Sequence, residues 1–471
     1  MTSRGWTLAV VCAATAMLML DIAVVNTALS RIAEDLDAGL GGLQWVVDAY
    51  TLALAATVLT FGSLADRFGR RRLFTGGLAL FTLASAACAA SASIELLVAS
   101  RAVQGIGAAI MFAVSLAILA DAFPAAKERA GALAAYGATI GASFAIGPLV
   151  GGALTSGLDW QWIFLVNLPL GIACIWITRV HVRESRDPNA RCVDIPGQIT
   201  LGAGLFLLVL GLLRGNEEGW TSTPIVAALA GAAVLLVAFL AIEHRVREPM
   251  LPLGLFRNTS FAGAQVAALA ISATFFAVFL YLTLYLQQVL GMTAVEAGLT
   301  YLPATIVMFV VSGATSTLVD RVSPRAMIGA GLALVAGGMG LMTIAGTDST
   351  WLTLMPGFLT AAVGTGLFNP AVTSVALGSA PIEQSGLAAG VNDTFRQAGI
   401  AIGVAALGAL VPAQAALGGG SAAEYVSGLH DALWAGGAVA LAGAVVATAL
   451  IKGVRPGEHA ARAPEPALQA S

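Results

Sequence analysis

Long apolar runs, separated by short polar breaks, follow one another along the chain. Each run has about the 20 residues that an α-helix needs to cross the hydrocarbon core of a bilayer. The pattern therefore predicts an all-α fold with fourteen membrane-spanning helices. Their approximate bounds are 6–29, 43–62, 73–92, 95–120, 131–155, 162–180, 195–213, 223–243, 259–287, 296–318, 326–345, 352–378, 385–412 and 430–451.

The composition leads to the same class of protein. Of the 471 residues, 58% are hydrophobic and 10% are charged, whereas a soluble domain carries about 25% charged residues. A water-soluble enzyme is therefore excluded, and a formal net charge of −3 gives no sign of nucleic-acid binding. Neither Lys127 nor Lys452 lies in a phosphate-binding loop, and the cysteines and histidines form no ligand pattern, so we expect no cofactor and no metal.

Basic residues are concentrated on one side of this topology. If the N-terminus is cytoplasmic, nineteen of the 23 Lys and Arg residues lie in cytoplasmic segments and only Arg31 and Arg214 lie outside. The positive-inside rule then places both termini in the cytoplasm and favours an even number of spans. We expect a multi-pass protein of the cell membrane, that is, the inner or plasma membrane.

The two halves of the chain repeat. A Leu-x-Asp-Arg sequence at 64–67 recurs 254 residues later at 318–321, and a Gly-x-Gly at 105–107 recurs 259 residues later at 364–366. Such repeats are typical of transporters whose substrate site lies between two bundles near the bilayer midplane. We predict an N-terminal six-helix bundle at 1–180, a central linker with two extra helices at 181–258, a C-terminal six-helix bundle at 259–452 and a disordered cytoplasmic tail at 453–471.

Five charged residues lie well inside predicted spans, in the hydrocarbon core where charges are costly: Asp21, Asp48, Arg101, Asp393 and Arg396. The first three lie about 8–10 Å below the outer ends of their helices, at one common depth. A buried carboxylate near a guanidinium can exchange protons as solvent access and the distance to the arginine change. A fixed ion pair that only orients the helices is the alternative.

Asp393 and Arg396 are three residues apart on one face of the thirteenth helix. Asp393 is a candidate second proton site or a partner for a cationic substrate. Neutralisation of Asp393 by Arg396 is the simpler interpretation.

Two further segments are candidates for conformational roles. The loop after the second helix combines a glycine turn with an acid and several arginines, which suits a cytoplasmic gate or, more simply, a topology signal. Its candidate residues are Gly62, Asp66, Arg67, Gly69, Arg70 and Arg71. The fifth helix carries small residues and a proline that favour close, kinkable packing: Gly141, Gly147, Pro148, Gly151 and Gly152.

Polar and aromatic residues within the spans are candidates for a substrate cavity, although most aromatic residues of a helical bundle are simply core. The candidate cavity residues are Asn26, Tyr50, Gln104, Phe144, Phe275, Tyr281, Phe368, Asn369, Asn392 and Arg396.

Four motifs resemble those of the major facilitator superfamily, in particular its fourteen-helix drug:proton antiporters. They occur in the expected order on the expected helices, and further similar stretches extend the resemblance over nearly the whole chain. The motifs are Leu20-Asp21-Ile22-Ala23-Val24-Val25-Asn26-Thr27-Ala28-Leu29, Gly62-x-Leu64-Ala65-Asp66-Arg67-x-Gly69-Arg70-Arg71, Arg101-x-x-Gln104-Gly105-x-Gly107 and Gly147-Pro148-x-x-Gly151-Gly152.

The resemblance implies alternating access driven by proton influx, with export of lipophilic compounds. It implies proton coupling at Asp21 and Arg101, a cytoplasmic gate at the Asp66 loop, and antiporter-type packing at the Gly147-Pro148 segment. The chain departs from the family pattern in two places: Ala23 replaces the usual hydroxyl residue, and Ser323-Pro324 replaces the glycine of the second-half loop.

The leading hypothesis is therefore a secondary transporter, not an enzyme, that exchanges protons for amphipathic drugs or antibiotics. Three intramembrane acids against two arginines favour a small lipophilic substrate that is neutral or cationic. We expect a monomer whose partners are this substrate, protons and the bilayer. A proton-coupled importer of a small metabolite and a non-transporting membrane sensor or scaffold are the alternatives.

Overall fold

The computed structural model describes residues 2–186, 193–318, 322–381, 384–417 and 420–452. These residues form helices and connecting loops, without a β-strand. The fourteen long helices are α1 Ser3–Leu36, α2 Leu40–Phe68, α3 Arg70–Ala89, α4 Ile94–Ala122, α5 Ala126–Gly157, α6 Trp162–His181, α7 Ile195–Glu218, α8 Thr223–Arg245, α9 Thr259–Val289, α10 Ala294–Leu318, α11 Pro324–Met342, α12 Met355–Gly378, α13 Ser385–Gly408 and α14 Ala422–Leu450. Three short helices, Leu253–Arg257, Trp351–Leu354 and Ala413–Ala416, lie in connections among the described residues.

The prediction of an all-α, many-spanning membrane protein is confirmed. Within the described ranges, thirteen of the long helices are both long and apolar enough to cross a bilayer. The remaining one, α13, is 24 residues long. Its mean hydropathy is lowered by four polar residues within six positions, Asn392, Asp393, Arg396 and Gln397. The predicted tail at 453–471 lies outside the described residues.

Several helices are longer than the apolar runs that predicted them, because capping extends them past the bilayer. The helix α14 begins at Ala422 rather than near 430, where Ser421 and Glu424 form a reciprocal capping box. The helix α1 continues to Leu36, seven residues beyond its apolar run, and ends where Asp37 adopts a left-handed conformation with φ 49°. Polar residues at such ends are solvated, so hydropathy alone underestimates helix length.

The helices pack as two groups of six with a pair between them. Helices α1 to α6 contact one another, as do α9 to α14, while α7 and α8 pack together and α7 also contacts α2 and α13. The two groups meet mainly where α5 packs on α10 and where α2 packs on α13. The residue bounds predicted for the domains stay a prediction.

Helix α9 contains two π-helical segments, Ser272–Phe276 and Tyr285–Val289. Extra residues of this kind inside α-helices occur often at functional sites. The backbone of α13 comes very close to the first segment, because Gly403 of α13 has no Cβ that would overlap the backbone of Ala273. This segment also presents Phe275 and Phe276 to the space between the two groups of helices.

Candidate functional site

Helices α1 and α4 bring together Asp21 and Arg101, both of which are 1% exposed. The guanidinium donates to the Asp21 carboxylate, and it also donates to the Val46 carbonyl at 3.0 Å and to Gln104 Oε1 at 2.7 Å. The Tyr50 ring lies 4.3 Å from the guanidinium carbon, a cation–π distance. Arg101 is therefore neutralised and hydrogen-bonded inside the bundle.

The second oxygen of Asp21 is satisfied by amide groups from two other helices. Gln104 Nε2 donates to it at 2.8 Å and Asn167 Nδ2 at 3.2 Å, and both amides also reach Ser85 Oγ. We call Asp21, Arg101, Gln104, Asn167 and Ser85 the charge network. It joins α1, α3, α4 and α6, and every charged or polar member contacts another member.

Two glycines of the Arg101 motif explain how α4 positions the network. A Cβ at Gly105 would overlap the Tyr50 carbonyl of α2, and a Cβ at Gly107 would lie 2.7 Å from the Phe81 backbone nitrogen of α3. Because neither position carries a side chain, α4 packs against both neighbouring helices. Arg101 and Gln104 then point into the centre of the N-terminal bundle.

Asp48 lies outside this network, although it shares its predicted depth. Its side chain is fully buried, and neither carboxylate oxygen has a hydrogen-bond partner. One turn earlier on α2, Gln44 donates at 2.8 Å to Tyr281 of α9, which in turn donates to the Val404 carbonyl of α13. The predicted common depth stays a prediction, and the position of Asp48 around the axis of α2 places it beside the contact with the C-terminal bundle instead of beside Arg101.

Asp393 and Arg396 form no ion pair with each other in the described structure. Asp393 is 7% exposed, and its Oδ2 has no hydrogen-bond partner. Arg396 is half-buried; it donates to Asn369 Oδ1 at 3.4 Å, and its guanidinium carbon lies 5.8 Å from the centre of the Phe276 ring. The arginine therefore contacts α12 and α9 and makes no close ion pair with the acid on its own helix.

An apolar cavity lies between the two groups of helices. Residues of α1, α2, α5, α9, α10, α12 and α13 line it, and none of the lining residues is Asp, Glu, Lys or Arg. Asn26 and Thr305 are among its few polar side chains. Its aromatic lining residues are Phe144, Phe275, Phe276, Phe279, Tyr301 and Phe358. Such a lining suits an apolar or aromatic molecule.

The candidate cavity residues from the sequence separate into three groups. Asn26, Phe144 and Phe275 line the cavity. Tyr50 and Gln104 belong to the surroundings of Arg101 instead. The remaining candidates lie within or at the edge of the C-terminal bundle, as described next.

The hydroxyl of Tyr281 accepts a hydrogen bond from Gln44 and donates one to the Val404 carbonyl. Asn392 donates to Gln265 of α9 at 3.0 Å. Phe368 is fully buried and packs against Gly331 of α11. Asn369 and Arg396 do not line the cavity itself.

Sequence reasoning did not single out Phe279, Tyr301 and Phe358, which form one aromatic wall. Phe279 and Tyr301 stack with ring centres 4.1 Å apart, and Phe358 meets the edge of Tyr301 at 5.2 Å. Asn167 and Ser85 of the charge network were also missed. Single polar or aromatic residues inside an apolar run carry no signal of their partners, since these come from distant helices.

The loop after α2 is held by ion pairs at the membrane face where α1 begins. Asp66 accepts from Arg70 at 2.8 Å, and Arg70 also lies 3.7 Å from Asp121 at the end of α4. Arg67 lies over the ring of Phe68, and Gly62 has no neighbour that a side chain would touch.

Glu184, which follows α6, binds the other side of this loop. It accepts from the Arg71 backbone at 3.0 Å and lies 3.7 Å from the side chains of both Arg71 and Arg72. Gly69 adopts φ 108°, and Glu184 fills the space where its Cβ would be. The sequence indicated the loop but not its partners Asp121 and Glu184, and all of these contacts stay within the N-terminal bundle.

The glycines of α5 form two contact surfaces. Gly147 and Gly151 lie against α1, where a Cβ would overlap Ala23 and Thr27 respectively. Gly152 lies against the Ala294 carbonyl of α10, and Gly298 of α10 lies against the Pro148 carbonyl in return. Gly141, nearer the start of α5, has only Phe309 as a neighbour, 3.4 Å from an ideal Cβ.

Beyond the cavity, towards the end of α1, hydrogen bonds join the two bundles. Gln287 of α9 donates to the Thr27 carbonyl at 3.0 Å, and the Val295 backbone of α10 donates to Ser156 Oγ of α5 at 3.1 Å. The bundles are thus in close contact at the membrane face where α1 ends.

Comparison with known proteins identifies the family of this fold. The model of the Major Facilitator Superfamily matches residues 11–404. The chain belongs to the major facilitator superfamily. Multidrug resistance protein Stp of Mycobacterium tuberculosis is 37% identical over 400 residues, which cover 84% of this chain and 74% of that protein. The methylenomycin A resistance protein of Streptomyces coelicolor is 33% identical over 413 residues, covering 87% and 86%.

Solved structures show the same fold at low sequence identity. The crystal structure of the peptide transporter POT in complex with sulfate has a TM-score of 0.68 and 15% identity, covering 95% of this chain and 96% of that one. This major facilitator protein is therefore a multi-pass membrane transporter and not an enzyme, as the sequence predicted.

Proposed function

We propose that this transporter exports amphipathic drugs or antibiotics in exchange for protons by alternating access. Its similarity to proteins named for multidrug and antibiotic resistance supports the substrate class. The observation that carries the proposal is the position of Asp21. The carboxylate is buried against Arg101, and the next turn of its helix, at Ile22, Ala23 and Asn26, lines the cavity.

Protonation of Asp21 would remove the negative charge that pairs with Arg101. Arg101 would keep its bonds to Gln104 and Val46, so the change would fall mainly on the contact between α1 and α4. Because α1 also packs on α5, a shift of α1 reaches the α5–α10 contact between the bundles. Proton binding at Asp21 and closure of the α5–α10 contact at the end of α1 would then be coupled through these packed helices.

The proposed direction of transport follows from the orientation of the chain in the membrane. We propose that both termini are cytoplasmic, as the basic residues indicate. The bundles are joined on the opposite face, beyond the cavity, by Gln287 and Val295. A substrate would therefore enter the cavity from the cytoplasm or inner leaflet and leave when the α5–α10 contact opens. The apolar lining favours this over import of a polar metabolite.

The test uses proteoliposomes with an imposed pH gradient and three dyes of different charge: ethidium, Hoechst 33342 and fluorescein. The wild type should move at least one dye against its concentration gradient, and Asp21→Asn should abolish gradient-driven movement of that dye. The matched control is Glu34→Gln on the same helix, since Glu34 is exposed and pairs only with Arg31 at 2.8 Å. Wild-type rates in Asp21→Asn would refute the role of Asp21, and no movement of any dye by the wild type would refute antiport.

A further inference from the structure

Arg396 lies at the interface of the two bundles, within a predicted membrane span. Among the described residues, it has no carboxylate partner. In the part of the chain that the structure describes, no acidic oxygen lies within 4 Å of its guanidinium, whereas Arg101 is paired with Asp21. Arg396 is held only by a long bond to Asn369, 3.4 Å, and by the face of Phe276. An unpaired guanidinium inside a membrane protein is costly, so it commonly marks a site for a ligand or ion.

The helix faces place this guanidinium at one end of the aromatic cavity. Arg396 lies one turn before Ile400 and two turns before Val404, and both of these line the cavity. Residues four and eight apart share one face of an α-helix. The guanidinium carbon also lies 5.8 Å from the ring of Phe276, which itself lines the cavity. The arginine thus extends the cavity wall by about 6 Å towards the beginning of α13.

Asn369 extends the facing wall in the same direction. It lies seven residues after Ala362 on α12, hence on the same helix face, and Ala362 lines the cavity. Both Asn369 and Arg396 are half-buried rather than sealed in the core. Together they present a guanidinium and an amide at the edge of an apolar chamber.

The acids near the cavity do not cancel this positive charge. Asp21 is neutralised by Arg101, and no Asp or Glu is among the lining residues. Asp393, one turn before Arg396 on α13, lies more than 4 Å from the guanidinium, so it acts on Arg396 as a more distant charge and not as an ion-pair partner. The total of three acids and two arginines favoured a cation, but the charge presented at the edge of this chamber is positive.

We infer that Arg396 and Asn369 form an anion subsite, so that the site takes aromatic molecules with one acidic group. This inference rests on the proposed export function and assigns the charge of its substrates. The aromatic part would occupy the space between Phe144, Phe276 and Phe358, and the carboxylate or phenolate would accept two hydrogen bonds from the guanidinium. Arginine suits this role because its planar donors match a carboxylate.

The test compares three probes that share one aromatic body: anthracene-9-carboxylate, its methyl ester and 9-(aminomethyl)anthracene. Binding to the purified full chain in detergent is measured by fluorescence at one pH. The wild type should bind the acid more tightly than the ester and the amine, and Arg396→Gln should weaken acid binding about 10-fold or more, the range for a lost charged hydrogen bond. Binding of the ester should change less than twofold.

Two further variants separate recognition from folding. Arg396→Lys keeps the charge without the planar donors and should bind the acid with intermediate affinity. Arg31→Gln, at the exposed end of α1, should behave as wild type. Equal losses for acid and ester in Arg396→Gln, or tighter wild-type binding of the amine than of the acid, would overturn the anion subsite.

The two proposals fail in different ways. Gradient-driven movement of ethidium without arginine-dependent binding of the acid contradicts the anion subsite alone. Arginine-dependent binding of the acid without gradient-driven movement of any dye contradicts antiport alone.

Discussion

The charges of the N-terminal bundle have hydrogen-bond and ion-pair partners within the protein, whereas those at the bundle interface largely lack them. In the charge network, Asp21 and Arg101 are buried and paired, and amide groups from α4 and α6 donate to Asp21. At the interface, Asp48 and Asp393 have unpartnered oxygens, and Arg396 has no acidic partner. Both sets are equally expensive to bury, yet only the first is satisfied by the protein itself.

This difference distinguishes charges that stabilise the helix packing from charges that are free to bind another group. A satisfied network has one geometry, and changing it requires a change in its charge, as protonation provides. Unsatisfied buried groups lower stability, and they are available to a proton, a substrate or the other bundle. The following three variants test that division through stability.

Loss of Arg101 should have the largest effect. The Arg101→Ala variant leaves Asp21 buried without its counter-ion, which typically costs about 3–5 kcal/mol. We expect a strongly lowered thermal unfolding midpoint in detergent, or failure to accumulate in the membrane. The matched control is Arg31→Ala, whose exposed pair with Glu34 contributes at most about 1 kcal/mol. Equal unfolding temperatures for the two variants would mean that the network does not hold the bundle.

Replacement of Asp48 should increase the stability of the protein, whereas loss of Arg101 should lower it. Because neither oxygen is hydrogen-bonded, Asp48→Leu replaces an unsatisfied buried group by an apolar side chain with the same branching and should stabilise the protein by about 1–3 kcal/mol. The measurement is the unfolding midpoint in detergent, alongside the export rate in proteoliposomes. A marked loss of stability would show that Asp48 has a structural partner and would remove it from the unsatisfied set.

The loop after α2 should give the smallest effect on stability. Asp66 is 33% exposed and pairs with Arg70 four residues later, an arrangement that contributes about 0.3–0.5 kcal/mol. Asp66→Asn should therefore leave the unfolding midpoint nearly unchanged while slowing transport, if the loop acts as the proposed gate. Normal transport rates would leave the loop with a topological role only.

Particular residues show how far sequence reasoning reached. Asp21 and Arg101 were expected at one depth, and they do meet, because rise along a helix is constant. Asp48 was expected beside them but faces a different direction. A rotation of the helix about its axis by one or two residue positions is enough to bring a side chain to a different neighbour. Tyr281 and Phe368 were expected near a substrate and are buried within helix contacts instead. Glu184 and Asp121 could not have been paired with the loop arginines, because the pairing joins segments more than 50 residues apart.

By itself, the sequence determined the all-α membrane class of the protein, the order of its apolar helices and the rarity of charges inside them. These follow from length, hydropathy and the cost of desolvating a charge, which are local properties of each segment. Only the tertiary structure decided which charges are satisfied and which remain open, and which aromatic rings face a common cavity. Those properties depend on the rotation of each helix about its axis and on the neighbours it meets, and both are set by packing across the whole molecule.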